Sequence, residues 1–310
     1  MLRKFNLLDL KGCKYNLFLF VIFFLSHTKY GYSQNYLRYY EEINKAEINN
    51  LEFNYAKSDS IYRLAFSLVN KPFKEDYYLA AINADRMNNS IQVYEYLIEA
   101  VKKGLLLKRI KKQKFKYFKS SKYFKKIKKS YDSIHKIYIE SVDENLSSEI
   151  SKMIYLDQKY RKSIIGNSKK MMTTDSINFT KLLDIIKNNN NKWPGFSTIG
   201  EISPKGKYNV SGNIALLILH FKKNEVEILK PFMLEAVQNG EMYPYQYARI
   251  IDYTISIPTK SCQIYGTYLD GGYLINICDC KKAAIERNKV GFEPIEDYYR
   301  KRNSGYKCSQ

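Results

Sequence analysis

Residues 77–100, YYLAAINADRMNNSIQVYEYLIEA, carry the pattern that decides the fold. Tyr77, Ala80, Ala81 and Ala84 and then Val93, Leu97 and Ala100 fall at helical spacing, which makes this stretch a pair of packed helices. Small side chains at fixed places let such helices approach closely. The pattern has a counterpart 35 residues upstream, because Ala46, Ser58, Tyr62 and Ala65 correspond to Ala81, Val93, Leu97 and Ala100. Residues 36–103 are therefore predicted to form two helical hairpins.

Downstream, residues 102–129, KKGLLLKRIKKQKFKYFKSSKYFKKIKK, hold fourteen Lys/Arg and no acid. Phe115, Phe118, Tyr123, Phe124 and Ile127 are interleaved with the lysines, and two arrangements are open. The rings could stack on nucleobases in a basic groove. Alternatively, Phe115 with Phe118 and Phe124 with Ile127, at i,i+3 spacing, bury against the preceding hairpin while the lysines stay hydrated. Residues 130–147 continue as helix into the polar joint SVDENLSSE, where Ser147 or Ser148 is predicted to cap the next helix, and the domain boundary is placed there. Helices are predicted from Ile150 to about Ile165, from a cap at Asp175 to Ile186, and near 212–223, 225–239, 243–256 and 281–288. The fold class is mainly α: a hairpin-repeat module over 34–147, then a mostly helical domain over 148–310 that ends in a small β-hairpin.

The start of the chain sets its compartment. Arg3, Lys4, Lys11 and Lys14 precede an apolar run from Leu17 to Leu25, followed by SHTKYGYSQ. That order is a secretory signal. Gly31 and Ser33 supply the small residues for cleavage between Ser33 and Gln34, so residues 1–33 are read as the signal. The apolar run is far short of the roughly 20 residues that span a bilayer, and no later segment approaches that length, so no transmembrane segment is expected. After residue 33 remain 46 basic and 30 acidic side chains, a net charge of +16. A surplus of this size attracts polyanions, although an Asn-, Ile-, Tyr- and Phe-rich chain acquires lysine from AT-rich codons as well.

Cys262, Cys278, Cys280 and Cys308 remain after the signal. An exported chain meets oxidising conditions, which permit disulfides. Asp270-Gly271-Gly272 between alternating segments is a hairpin signal, and folding there brings Cys262 opposite Cys278 or Cys280. A Cys-x-Cys with only one nearby third cysteine and no histidine in the last ninety residues is a poor metal site, so no metal is expected, and no cofactor motif is present.

Residues 150–300 carry, in order, Asp157-Gln158 with Arg161, Asp175 with Asn178, Trp193-Pro194, Gly200, His220, Gly240, Ala248 with Asp252, Gln263-Ile264-Tyr265-Gly266-Thr267, Arg287, and Gly291 with Pro294 and Tyr298. This succession resembles a bacterial family known as domain of unknown function 6624, found in exported proteins behind tetratricopeptide-like helices. The 35-residue offset at the start lies near the 34 of that repeat. The resemblance implies a fold and no activity. The chain departs from the pattern at Leu219-His220-Phe221-Lys222, where the family has Gln-His-Ala-Asp, at Asp252-Tyr253 for Asp-Arg, and at Tyr268 for Gln.

Polar residues among apolar neighbours need partners when buried. On that ground Arg161, His220 and Asp252 are the catalytic candidates, His220 as a base oriented by Asp252 and Arg161 as an anion holder, with Gln263, Tyr265 and Arg287 as ligand-binding candidates. No Gly-x-Ser-x-Gly, Cys–His pair or His-Glu-x-x-His accompanies them. The reading that needs no missing residue is an exported, periplasmic or extracellular, binding module for a protein or an anionic envelope polymer. A hydrolase-like pocket around His220, Asp252 and Arg161 is the alternative, and nucleic-acid binding through 102–129 is the least favoured.

Overall fold

The computed structural model of the chain describes residues 35–161, 168–201, 210–259, 262–270, 273–274, 276–302 and 308. The expected signal with its cleavage point at Ser33, and the Gly271-Gly272 turn, lie outside the described residues. The architecture is mainly helical. In order come α1 (Tyr36–Leu51), α2 (Tyr55–Ser67), α3 (Lys74–Arg86), α4 (Ser90–Val101), α5 (Leu107–Lys112) and α6 (Lys122–Ser141). These are followed by α7 (Glu144–Arg161), α8 (Ser168–Asn188), α9 (Phe196–Ile199), α10 (Val210–Ile218), α11 (Lys223–Gln238), α12 (Pro244–Thr259), α13 (Cys280–Lys289) and α14 (Ile295–Arg300). Strands β1 (Leu269–Asp270) and β2 (Tyr273–Leu274) pair antiparallel before α13. Among the described residues no helix is long and apolar enough to cross a membrane.

Local chemistry places the helix starts. Asn35, Asn89 and Ser121 each accept, through the side chain, from the backbone N–H three residues on, which satisfies a donor the first turn leaves free. The first four helices pack α1 on α2, α2 on α3 and α3 on α4. Ala46, Ser58, Ala65, Ala81, Val93, Leu97 and Ala100 are all fully buried in those contacts. Two predicted caps are corrected. Helix α7 begins at Glu144, where the Asp143 carboxylate accepts from Leu146 N at 2.9 Å, so Ser147 is helix interior and not a cap. Asp175 likewise lies inside α8, because its carboxylate is held by a guanidinium and is not spent on a helix end.

Residues Asn35–Gln310 form one compact unit. Aromatic packing joins its early and late helices: Phe73 lies 4.4 Å from Tyr243, 5.2 Å from Phe196 and 5.9 Å from both Tyr39 and Tyr40, ring centre to ring centre. Tyr40 donates its hydroxyl to Val237 O at 2.8 Å. Helix α10 packs on both α7 and α8, and this three-helix junction carries the first group of candidate residues.

Candidate functional site

Asp157 and Arg161 are one helical turn apart on α7 and so project from one face. Arg161 Nη2 lies 3.0 Å from Asp157 Oδ1 and also binds Asp175 of α8. His220, just past α10, places Nδ1 at 3.1 Å from the same Asp157 Oδ1, and Gln158 Nε2 donates to Asp157 Oδ2 at 2.6 Å. The Asp157 carboxylate, on a residue 2 % exposed, therefore ties α7 to the end of α10, and Arg161 carries the link on to α8. Burial alone raises the Asp157 carboxyl, but hydrogen bonds from His220 and Arg161 outweigh it and hold the group below the ordinary carboxylate range. Asp175 is held above its ordinary value by burial, against the pull of Arg161.

Asp157 accepts, so Nδ1 is the donor; in the neutral imidazole the lone pair is then on Nε2, which has no partner among the described residues. The side chain is 18 % exposed, so water reaches the ring. A carboxylate-oriented imidazole with an open nitrogen is the geometry of a general base. Asp157, Asp175 and His220 also bring three ligand atoms within 4.8 Å of one another. The Arg161 guanidinium already donates to both carboxylates there and supplies the positive charge a cation would bring.

The other sequence-level candidates belong to a different construction. Asp252 does not orient His220. It is fully buried, and its Oδ1 accepts from Ile264 N at 2.9 Å and Tyr265 N at 2.8 Å, while Oδ2 accepts from Thr267 N at 2.9 Å and Thr267 Oγ1 at 2.8 Å. Gln263 closes the same loop, accepting from Tyr268 N at 2.7 Å and donating to Tyr268 O at 2.9 Å. Arg287 donates to Glu293 O at 2.6 Å and to Tyr265 O, with its guanidinium 3.8 Å from the Phe292 ring centre. Burial pushes the Arg287 pKa down to about 10, and burial raises the Tyr265 hydroxyl. Asp252, Gln263, Tyr265 and Arg287 thus hold the loop between α12 and α13. Cys262 is bonded to Cys278 and Cys280 to Cys308, and both disulfides tie down the same region.

In the basic segment most of the apolar side chains turn inward. Phe115, Phe118 and Ile127 are buried, and Phe124 is partly buried against Phe118, 5.8 Å away. Lys126 lies over Tyr94 and Lys128 over Phe124, so the less buried rings are covered by the chain's own cations. Tyr117 and Tyr123 are likewise partly buried, with Lys116 and Lys122 over their rings. From beneath, the buried Asp85 carboxylate accepts from the backbone N–H of Lys116, Tyr117 and Phe118 at 2.5, 3.1 and 2.8 Å. Lys108, Lys111, Lys112, Lys114, Lys116 and Lys119 are exposed, as are Lys122, Lys125, Lys126, Lys128 and Lys129. Among the described residues, the ion pairs of the segment are those of Lys102 with Glu99 and Arg109 with Glu75.

No family model, no curated protein and no solved structure matches the chain. Sequence reasoning missed the role of Asp157 as the partner of His220 and took Asp175 for a cap. The i,i+4 pairing of Asp157 with Arg161 was the available signal, since an acid and a base one turn apart share a face.

Proposed function

We propose that the protein is an exported binding protein whose basic face, residues 102–129, docks on an anionic envelope polymer. The observation that supports this reading is the segregation within the segment: apolar rings turned inward, eleven lysines turned outward, and no acid among them. An array of one sign, rigidly backed by Asp85 and the buried phenylalanines, attracts a polyanion over a Debye length and needs no sequence-specific contact. Two disulfides suit an oxidising compartment and support export. Helices α1–α4 belong to the same proposal as two tetratricopeptide-like hairpins, given the burial of equivalent positions such as Ala46 with Ala81 and Ala65 with Ala100. So do a β-hairpin turning at Asp270-Gly271-Gly272 and a domain over residues 150–300 of the family that it resembles. The meeting of Asp157, Arg161, Asp175 and His220 at one point supports the latter.

Heparin serves as the model polyanion. Wild-type protein is expected to bind it with an affinity that falls steeply with salt, and the triple variant Lys119→Glu/Lys125→Glu/Lys129→Glu to bind roughly tenfold more weakly in low salt, with a shallower salt slope. These three lysines are exposed and make no ion pair among the described residues, so the stability of the fold should hold. Equal retention of the two proteins on a heparin column would defeat the reading.

A second reading rests on the open Nε2 of His220 beside Asp157. As a general base it would accelerate hydrolysis of an activated ester by on the order of 10² or more over buffer. His220→Ala and Asp157→Asn are both expected to remove that rate while the helical circular dichroism persists. Turnover that survives His220→Ala would end this reading.

A further inference from the structure

A cavity of about 670 Å³ lies away from His220 and from the basic face, between α1, α3 and the start of α12. Its walls are aromatic, with Tyr40, Phe73, Tyr243 and Tyr245 among them. Its charges are mostly acidic, and most of these acids are matched. Glu75 binds Arg109, with one contact at 2.6 Å, and Glu201 binds the buried Lys74 at 2.7 Å. Glu47 and Glu293 share Lys301.

Asp76 is the exception. It lines the cavity, is 7 % exposed, and meets no cation within ion-pair distance. Its only hydrogen bond comes from the Tyr39 hydroxyl on Oδ2, which leaves Oδ1 without a donor among the described residues. The first turn of α3 offsets part of the cost of burying this carboxylate, and burial holds its pKa well above the ordinary value.

A second, independent group in the same wall is also unpartnered. Asn44 is 8 % exposed and donates Nδ2 to Asp297 Oδ2 at 2.7 Å, which fixes the orientation of its amide. Its Oδ1 is then an acceptor sealed from bulk water with no donor among the described residues. The buried Tyr243 hydroxyl has no partner among the described residues either, and burial raises its pKa well above the ordinary value. Buried polar atoms are almost always satisfied, so the open Asn44 oxygen and Tyr243 hydroxyl, around the same cavity as an Asp76 oxygen that meets no protein donor, mark where a polar group from outside belongs.

We propose that this cavity binds a small organic ammonium ion that carries N–H donors. Asp76 Oδ1 and Asn44 Oδ1 would accept those N–H groups, and the aromatic rings around them would face the cation with their electron-rich sides. The volume falls in the range of small-molecule sites. Selectivity follows from the chemistry: a quaternary ammonium satisfies the rings but neither acceptor, and a neutral diol supplies donors but no charge for Asp76. The inference does not depend on polyanion binding by residues 102–129.

The test uses the full chain without its first 33 residues and measures binding of 1,4-diaminobutane by calorimetry at neutral pH, beside choline and 1,4-butanediol. Saturable binding of the diamine is expected, with choline and the diol at least tenfold weaker. Asp76→Asn retains an acceptor for Tyr39 and should fold, yet weaken the diamine at least tenfold. Tyr243→Phe removes a hydroxyl that has no partner; it should leave folding intact and weaken binding by a few-fold. No saturable diamine binding by the wild type would overturn the proposal. Equal affinity for the diol, or an Asp76→Asn protein that binds like the wild type, would do the same.

Discussion

Replacing Asp252 by alanine is expected to destabilise the fold by about 4 kcal/mol, more than any other single side-chain deletion among the sequence-level candidates. One fully buried carboxylate accepts four hydrogen bonds, three of them from backbone N–H groups of residues 264–267. Alanine leaves those donors in an apolar interior. Each hydrogen bond to a charged acceptor contributes on the order of 1.5–3 kcal/mol, and unsatisfied donors add a desolvation cost. The contributions are not additive, and the loop relaxes in part, so the total lies below their sum. In a chain of this size such a loss lowers the Tm by on the order of 10 °C.

The comparison that gives the measurement its meaning is His220→Ala. That side chain is partly exposed and has one protein partner, so its loss is expected to cost about 1 kcal/mol. Asp252→Asn should fall between the two, because its remaining oxygen can still accept from Ile264 and Tyr265 while the new NH2 faces the Thr267 N–H. Thermal unfolding followed by circular dichroism under oxidising conditions ranks the three. If Asp252→Ala melts within a degree or two of the wild type, the loop is not held as described, and Asp252 becomes free again as a partner for His220.

What was legible in the sequence divides along the range of the interactions. Helix positions were readable because a turn of helix repeats within four residues, and the periodic apolar residues of 36–103 became the buried ones. Phe115 and Phe118 turn inward too, but outside any α-helix, on a stretch that Asp85 holds through the N–H groups of Lys116, Tyr117 and Phe118. Asp157 and His220 are 63 positions apart, and no periodicity connects them. Asp252 was misassigned because its partners are backbone amides, which every residue but proline carries and no sequence pattern singles out. The cavity drew on α1, α3 and the segments at Glu201, Tyr243 and Glu293, none of which is polar enough by itself to attract notice. Cys262 could be placed opposite Cys278 because a turn signal stood between them. Cys308 had no such signal, and its bond to Cys280 went unread.

Three glycines have a common structural reason. Gly200, Gly240 and Gly291 all lie in the later half, and a methyl group on any of them would run into a tyrosine of the earlier half: Tyr138, Tyr36 and Tyr40 respectively. Each is a seat for a ring. Gly240 is the most constrained, since it terminates α11 with φ +71° and its Cβ would stand 2.1 Å from Tyr36 ring atoms. Gly240→Ala is therefore expected to cost about 3–4 kcal/mol, from ~1–2 kcal/mol of left-handed backbone strain and from displacing a buried ring whose hydroxyl is bonded to Lys71 O. The double variant Tyr36→Leu/Gly240→Ala separates the two contributions. A smaller side chain relieves the clash but not the backbone strain, so the pair should couple by at least about 1 kcal/mol. Additive losses would mean that α1 does not rest on Gly240. Coupling, with one unfolding transition for every variant, would mean that the early helices and the later ones melt as one cooperative body, despite the joint that the sequence marks between them.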